Sequence, residues 1–372
     1  MRKLKSATYA ARAIRRATQV HGASLADTLR RYAWLYKHDF SPHEIELYDL
    51  LDPAFGDERL RRLLSREATI KLDDRHVVRS YLCTLSDKAV FYALCEGLRL
   101  PIPPLYAVFD KPEGRTGDGR TLQSREAWCE FFRTLPAPFV VKPALGLLGF
   151  GVRAYRPEGD RFVDRDGRVQ TVEELYEDIV ALGRQNLFTG DYAHHSLGLA
   201  GEHHKSIVQQ QLRAHPAIAA LTASTSLSTC RIFTAVDAEG RPSVLATAMR
   251  IIGSGGLTDN FVHGTAGNLW ASVDLETGRI QEAFALSADG LRMERRERHP
   301  ASRAQFGTFV VPHWDEVLAL ALKLARGFRP QGVVNWDIAV TEEGVVVIEG
   351  NLGGLTIPTP LNRPVAELFP AP

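Results

Sequence analysis

One stretch near the carboxyl end constrains this chain more than any other. It runs from Asn335-Trp336-Asp337 through an apolar run, a Glu342-Glu343-Gly344 turn and a second apolar run to Glu349-Gly350-Asn351. Two short runs rich in Val and Ile around a turn sequence predict an antiparallel hairpin. The outer ends of a hairpin lie together and same-face residues recur every second position, so Asp337 is expected beside Glu349 and Asn351. Two carboxylates and an amide make a cluster of hard oxygen ligands. Such a donor set suits Mg2+, which keeps several waters and is completed by a substrate's phosphates rather than by an all-protein cage. Taken alone, an Asp and a Glu bordering a strand pair equally suit a solvated or structural role.

A second segment, far upstream, bears on that choice. Phe139-Val140-Val141-Lys142-Pro143 reads as a buried strand that delivers one lysine, and Gly146, Gly149 and Gly151 follow in a loop. Glycines let a backbone approach phosphate oxygens and aim its N–H groups at them, while the lysine adds a compact positive charge. The lysine precedes the glycines and no Gly-Lys-Ser/Thr follows, which excludes a Walker loop. The glycine spacing and the missing helix exclude the dinucleotide fingerprint. By itself this segment fits an ordinary strand and Gly turn as well.

In this order the two segments resemble the ATP-grasp superfamily, an α+β fold in which two α+β subdomains sandwich ATP and a carboxylate is activated as an acyl phosphate before an amine attacks it. The resemblance implies that Lys142 binds phosphate, that the loop carrying Gly146, Gly149 and Gly151 is the flexible glycine loop, and that Asp337, Glu349 and Asn351 bind metal. It makes Gln209-Gln210-Gln211-Leu212 the adenine hinge, with Gln209 among the cofactor-binding residues and contacts expected from Gln210 C=O and Leu212 N–H. Upstream, Asp87-Lys88 and then Gly97 to Pro103 resemble the entry to the grasp region, which makes Lys88 the second phosphate lysine. A closer resemblance is to the α-L-glutamate-ligase-like branch and its sugar-transfer-associated group. It is carried by Leu212-Arg213-Ala214-His215-Pro216, Ser226 to Thr234, Met249-Arg250 and Asp259-Asn260-Phe261-Val262-His263-Gly264. Where many relatives have a carboxylate for the ribose hydroxyls, Arg213 and His215 stand here. The strand-rich pre-domain common in the superfamily is replaced by a helical amino-terminal third.

Length and composition agree with this reading. A chain of 372 residues, 45% apolar, buries a sizeable core. The expected division is a helical extension over 1–75, a subdomain with the glycine loop and hinge over 76–212, and one with the metal hairpin and substrate loop over 213–372. A formal net charge of +1 argues against a nucleic-acid surface. The scattered Cys83, Cys95, Cys129 and Cys230 have no zinc spacing and read as reduced thiols, so a cytoplasmic protein is expected. No apolar run approaches the ~20 residues that span a bilayer, and the basic amino terminus lacks a signal peptide's apolar core. Arg2, Lys3, Lys5, Arg12, Arg15, Arg16, Arg30 and Arg31 are opposed by Asp27 alone. They read as the solvated face of a docking helix, with peripheral contact to anionic lipid as the alternative.

The pattern predicts helices over 25–34, 43–51, 87–98, 172–182 and 314–326, and strands over 105–109, 139–142, 151–155, 230–236, 244–251 and 270–274. Segment 110–119 reads as an exposed loop. The pairs His194-His195 and His203-His204 sit in a Gly-rich connector and do not make a zinc site. No nucleophile elbow is present. Arg231 and Arg250 border apolar strands and are expected to neutralise a transferring phosphate or to fork onto a carboxylate. Arg231, Asn260, His263 and Gly264 are the expected substrate residues.

The expected activity is that of an ATP-dependent carboxylate–amine ligase using ATP and two Mg2+, with Lys142, Arg231 and Arg250 as catalytic residues and small-molecule acid and amine as partners. The alternatives are a small-molecule kinase on the same fold, or a non-catalytic nucleotide-binding subunit of a glycan-assembly system.

Overall fold

The computed structural model describes residues 2–110, 113–146, 149, 151–184, 205–253, 255–261, 267–352 and 360–361, apart from the side chains of 2–5, 72–74 and 183–184. The chain divides into two compact α+β units. The lysine unit comprises Ser80–Arg213 and Val346–Glu349. The arginine unit comprises Met1–Arg79, Ala214–Val345 and Gly350–Pro372.

In the lysine unit, strands β1 (Leu105–Asp110), β2 (Glu113–Thr116), β3 (Thr121–Leu122), β4 (Phe139–Pro143), β5 (Arg153–Glu158), β6 (Arg161–Asp164), β7 (Val169–Gln170) and β8 (Lys205–Gln210) form one antiparallel sheet, ordered β3-β2-β1-β8-β4-β5-β6-β7. Alternation sends Phe139, Val141 and Val208 to one face, where they pack with Trp128, Phe132, Tyr176 and Ile179 of helices Arg125–Arg133 and Val172–Arg184. Each fully buried aromatic side chain here stabilises by roughly 1.5–3 kcal/mol. Ser124 caps the first of these helices by accepting from Ala127 N–H at 3.2 Å.

Part of segment 110–119 departs from the loop reading, since Glu113–Thr116 pairs with β1. The reason is tertiary. Gly114 lies directly beneath the Trp128 ring, where any Cβ would collide, so the absence of a side chain that weakens the strand signal is what permits the strand.

In the arginine unit, β9 (Thr229–Val236), β10 (Pro242–Ile251), β11 (Leu269–Val273), β12 (Ile280–Leu286), β13 (Met293–Arg296), β14 (Val333–Thr341) and β15 (Gly344–Asn351) make a sheet ordered β13-β12-β11-β10-β9-β14-β15. Every residue of β14 is buried. Trp336 meets Phe328, at the end of helix Trp314–Gly327, with ring centroids 5.3 Å apart, so Asp337 falls on the opposite face of the sheet. That opposite face continues through Ala248 and Trp270 into a core shared with the amino-terminal helices.

Those helices are docked by charge as well as by apolar contact. Ala13 and Ala17 are buried, Arg12 forks onto Glu46 at 2.6 and 2.9 Å, and Arg16 reaches Asp49 at 2.8 Å. Ser41 and Glu44 form a capping box with Pro42 in the first turn. The helix stops at Leu47 rather than 51 because Asp49 adopts φ 51° and accepts bonds from Arg16 and from His21. Among the described residues no helix is long and apolar enough to cross a membrane.

Candidate active site

On β14 and β9, Asp337 and Arg231 stand directly across from one another. Arg231 forks onto the carboxylate, Nε to Oδ1 and Nη2 to Oδ2, both at 2.9 Å. From β10, Arg250 Nη2 reaches Asp337 Oδ2 at 2.9 Å. Asn351, at the end of β15, donates from Nδ2 to the same oxygen at 3.1 Å. Asp337 is fully buried. A buried carboxylate is tolerable only when paired and hydrogen-bonded, and here two guanidiniums and an amide do both. Cys230, between Thr229 and Arg231, has its thiol pushed up to about 12, first by burial and then by the charges of Asp259 and Asp337, so it offers no thiolate at neutral pH.

Arg250 also donates to Thr229 Oγ1 from Nε at 3.1 Å and from Nη2 at 3.0 Å, and from Nη1 to Asn260 Oδ1 at 3.4 Å, and its Nη2 is ion-paired with Asp259 Oδ1 at 3.1 Å. Asp337, Asn351, Arg231, Arg250 and Asn260 are therefore brought together. His263 and Gly264 lie outside the described residues, as do the four connector histidines. Thr229 and Asp259 lie in segments that carry the family resemblance, but no role was expected of either. Only the pairing of β9 beside β10 brings Thr229 to Arg250, and the intervening loop returns Asp259 to the same point.

In the lysine unit, Asp87 caps helix Lys88–Gly97 by accepting from Ala89 N–H at 2.8 Å, and Lys205 holds the same carboxylate at 2.9 Å. Lys88 Nζ donates to Gly146 O at 2.7 Å and stands 3.8 Å from Glu349 Oε2. Lys88, the start of the glycine loop and Glu349 thus form one group, joined by Asp87 and by Lys205, which no motif announced. Within the loop Gly149 and Gly151 take φ 71° and 72°, the left-handed region that glycine enters without strain.

Lys142 and Gln209 share a sheet face, because Val140 lies opposite Gln209 and Lys142 is two residues on. Gln210 lies opposite Phe139 and so faces the helices. Leu212 is buried, and its N–H has no hydrogen-bond acceptor among the described residues.

The residues present fit Mg2+ by chemistry. Asp337 and Glu349 are carboxylates and Asn351, whose amide nitrogen is turned to Asp337, carries an amide oxygen, all hard oxygen donors of the kind Mg2+ takes.

Comparison with known proteins adds the family. Residues 68–359 match the model described as sugar-transfer associated ATP-grasp. Among curated proteins none matches. Similar solved structures include the biotin carboxylase domain of 2-oxoglutarate carboxylase from Hydrogenobacter thermophilus, at 14% identity and TM-score 0.37, covering 73% of this chain and 41% of that one. Another is biotin carboxylase from Campylobacter jejuni, at 11% identity and TM-score 0.40, covering 79% and 47%. A third is VanG D-Ala:D-Ser ligase from Enterococcus faecalis, at 13% identity and TM-score 0.37, covering 74% and 54%. The chain spans about half the length of these solved chains, from 41% to 54%.

Proposed function

This chain belongs to the sugar-transfer associated ATP-grasp family, and on that premise we propose that it is an ATP-dependent carboxylate–amine ligase releasing ADP and phosphate. The observation that carries the reading is the pairing of roles at the end of β15: Glu349 stands with Lys88 and Gly146, while Asn351, two residues on, bonds Asp337 between two arginines.

A carboxylate does not readily attack a phosphate because both are anionic, so the site must gather positive charge about the transferring group. Lys88 and Lys142 hold the phosphates of ATP, and the glycine loop offers backbone N–H groups to them. Asp337, Glu349 and Asn351 hold Mg2+, which when bound neutralises phosphate charge. Arg250 and Arg231 face the acid: Arg250 Nη1 and the Asn260 amide orient its carboxylate, with His263 and Gly264 in the same substrate loop. Gln209, Gln210 C=O and Leu212 N–H hold the adenine. Exclusion of water by the glycine loop preserves the acyl phosphate until an amine arrives.

Isothermal titration tests the nucleotide half of this reading and should show Mg2+-dependent binding of ATP. The chemical half is tested by incubating the protein with MgATP, a panel of carboxylic acids and hydroxylamine. A hydroxamate with stoichiometric ADP is expected. A stable phosphate ester with no hydroxamate would replace the ligase by a kinase, and absence of nucleotide binding by well-folded protein would remove both.

A further inference from the structure

We infer that Asp259 is a positioning residue that fixes the orientation of Arg250. The inference rests on the role given to Arg250 above, but its geometry stands independently. Asp259 is buried on the segment between β10 and β11, and its Oδ2 accepts from Thr229 N–H at 2.7 Å and from Thr229 Oγ1–H at 2.5 Å. A hydroxyl has one proton. Because Thr229 gives it to Asp259, the hydroxyl's lone pairs face Arg250, whose Nε and Nη2 both donate to that oxygen. Asp259 Oδ1 takes Arg250 Nη2 directly at 3.1 Å. One carboxylate therefore holds the guanidinium twice, once itself and once through the threonine it polarises.

Charge leads to the same assignment. Arg231 and Arg250 bring two positive charges to a buried point where Asp337 supplies only one negative charge. Asp259 makes the cluster neutral, and without it the guanidinium of Arg250 would be left largely uncompensated in the interior. The backbone secures the arrangement from behind. Asn268, buried, donates from Nδ2 to Thr258 O at 3.0 Å and to Asn260 O at 2.9 Å, and accepts from Gly253 N–H at 3.1 Å. The carbonyls on either side of Asp259 are thus held by one side chain. At the base of the segment Gly253 approaches Gly267 O so closely that no Cβ would fit. Asp259 touches no substrate in this account. It determines that Nη1, the arm of Arg250 directed at Asn260, is the one presented.

The test begins with hydrogen exchange at arginine Nε–H groups in 15N-labelled protein, which requires no substrate. Slow exchange is expected for both Arg231 and Arg250. Asp259→Asn should accelerate Arg250 at least about tenfold and leave Arg231, still forked on Asp337, unchanged. Thr229→Val, which keeps shape and removes the polarised hydroxyl, should give the same signature if Asp259→Asn folds poorly. Unchanged Arg250 exchange in both variants overturns the inference.

In ADP formation from MgATP, carboxylic acids and hydroxylamine, Asp259→Asn should lower kcat by on the order of tenfold to a hundredfold with KM for MgATP nearly constant, as expected of a displaced reacting group. Combined with Arg250→Lys it should cost little more than Arg250→Lys alone, whereas additive losses count against action through Arg250. A wild-type protein that forms no ADP with any acid defeats the ligase reading, while the exchange measurement still decides the role of Asp259.

Discussion

Asp337 is fully buried and meets two guanidiniums at 2.9 Å, whereas Lys88 and Glu349 stand partly exposed and 3.8 Å apart, with the shortest bond of Lys88 made to a backbone carbonyl. Both regions concentrate charge. The first does so in an apolar interior, where each charge must be matched at once, so its geometry is fixed by folding. The second lies where water competes, and its 3.8 Å ion pair does not demand the same exact match. Rigid orientation and exchangeable charge are separate demands, and the chain assigns them to separate units.

The sharpest way to break this contrast is a stability comparison. Asp337→Asn leaves two buried guanidiniums with one carboxylate and is expected to cost about 3–5 kcal/mol in chemical denaturation. Lys88→Ala should change stability by less than about 1 kcal/mol. Equal costs would show that the two regions are not built differently.

Turnover should reverse the ranking. Lys142→Ala and Glu349→Gln are each expected to slow ADP formation roughly a hundredfold, the usual effect of losing a preorganised charge, with an unchanged denaturation midpoint. Near-normal rates in both would move the phosphate site elsewhere.

A smaller effect is expected at the glycine loop. Gly151 has φ +72°, and a Cβ there would lie 2.8 Å from Pro143 Cγ. Gly151→Ala should destabilise by about 1–2 kcal/mol and weaken MgATP binding measured by titration. A neutral outcome would mean that the loop's conformation is not set by that residue.

The smallest is a pH effect on the arginine unit. His299 is buried, its Nε2 lies 2.7 Å from Ile252 O just beyond β10, and its Nδ1 accepts from Ala301 and Ser302 N–H. Burial holds its pKa below the ordinary histidine value of 6.5. The folded protein thus takes up that proton less readily than the unfolded chain. Its contribution to stability is complete above pH 6.5 and declines as pH falls below it. Denaturation midpoints across that range should fall in the wild type and respond less in His299→Gln.

Local pattern made much of the fold legible. The hairpin, the strand carrying Lys142, the helix from about Asp87 and the helix before β14 all follow from alternation, periodicity and turn residues. At the amino-terminal helix, Arg12 and Arg16 pair with Glu46 and Asp49, residues that a helix-by-helix reading cannot match to them. Strands β12 and β13 gave little signal, since they lie toward the sheet edge and their polar faces weaken the apolar alternation. Within the site, Asp337 beside Asn351 followed from hairpin geometry alone. The two arginines on Asp337 did not, because sequence spacing within one hairpin says nothing of which strand comes next in the sheet. The role of Asp259 was the least legible, because its segment carries the resemblance but only the ladder of β9 and β10 gives it Thr229 and Arg250 as neighbours.

The lysine unit is completed by four residues that the chain contributes long after leaving it. Val346–Glu349 belongs to that unit: Val347 N–H bonds Pro101 O at 2.9 Å, Tyr92 hydroxyl bonds Ile348 O at 2.5 Å, and Glu349 stands by Lys88. A gene fragment ending near residue 213 would encode a sheet with a lysine and a glycine loop but without its acidic partner, and without the carbonyl that accepts from the Tyr92 hydroxyl. The two units therefore cannot be inherited, shuffled or truncated as independent cassettes. A change at the last strand of the arginine unit is also a change to the lysine unit, so the two must evolve as one.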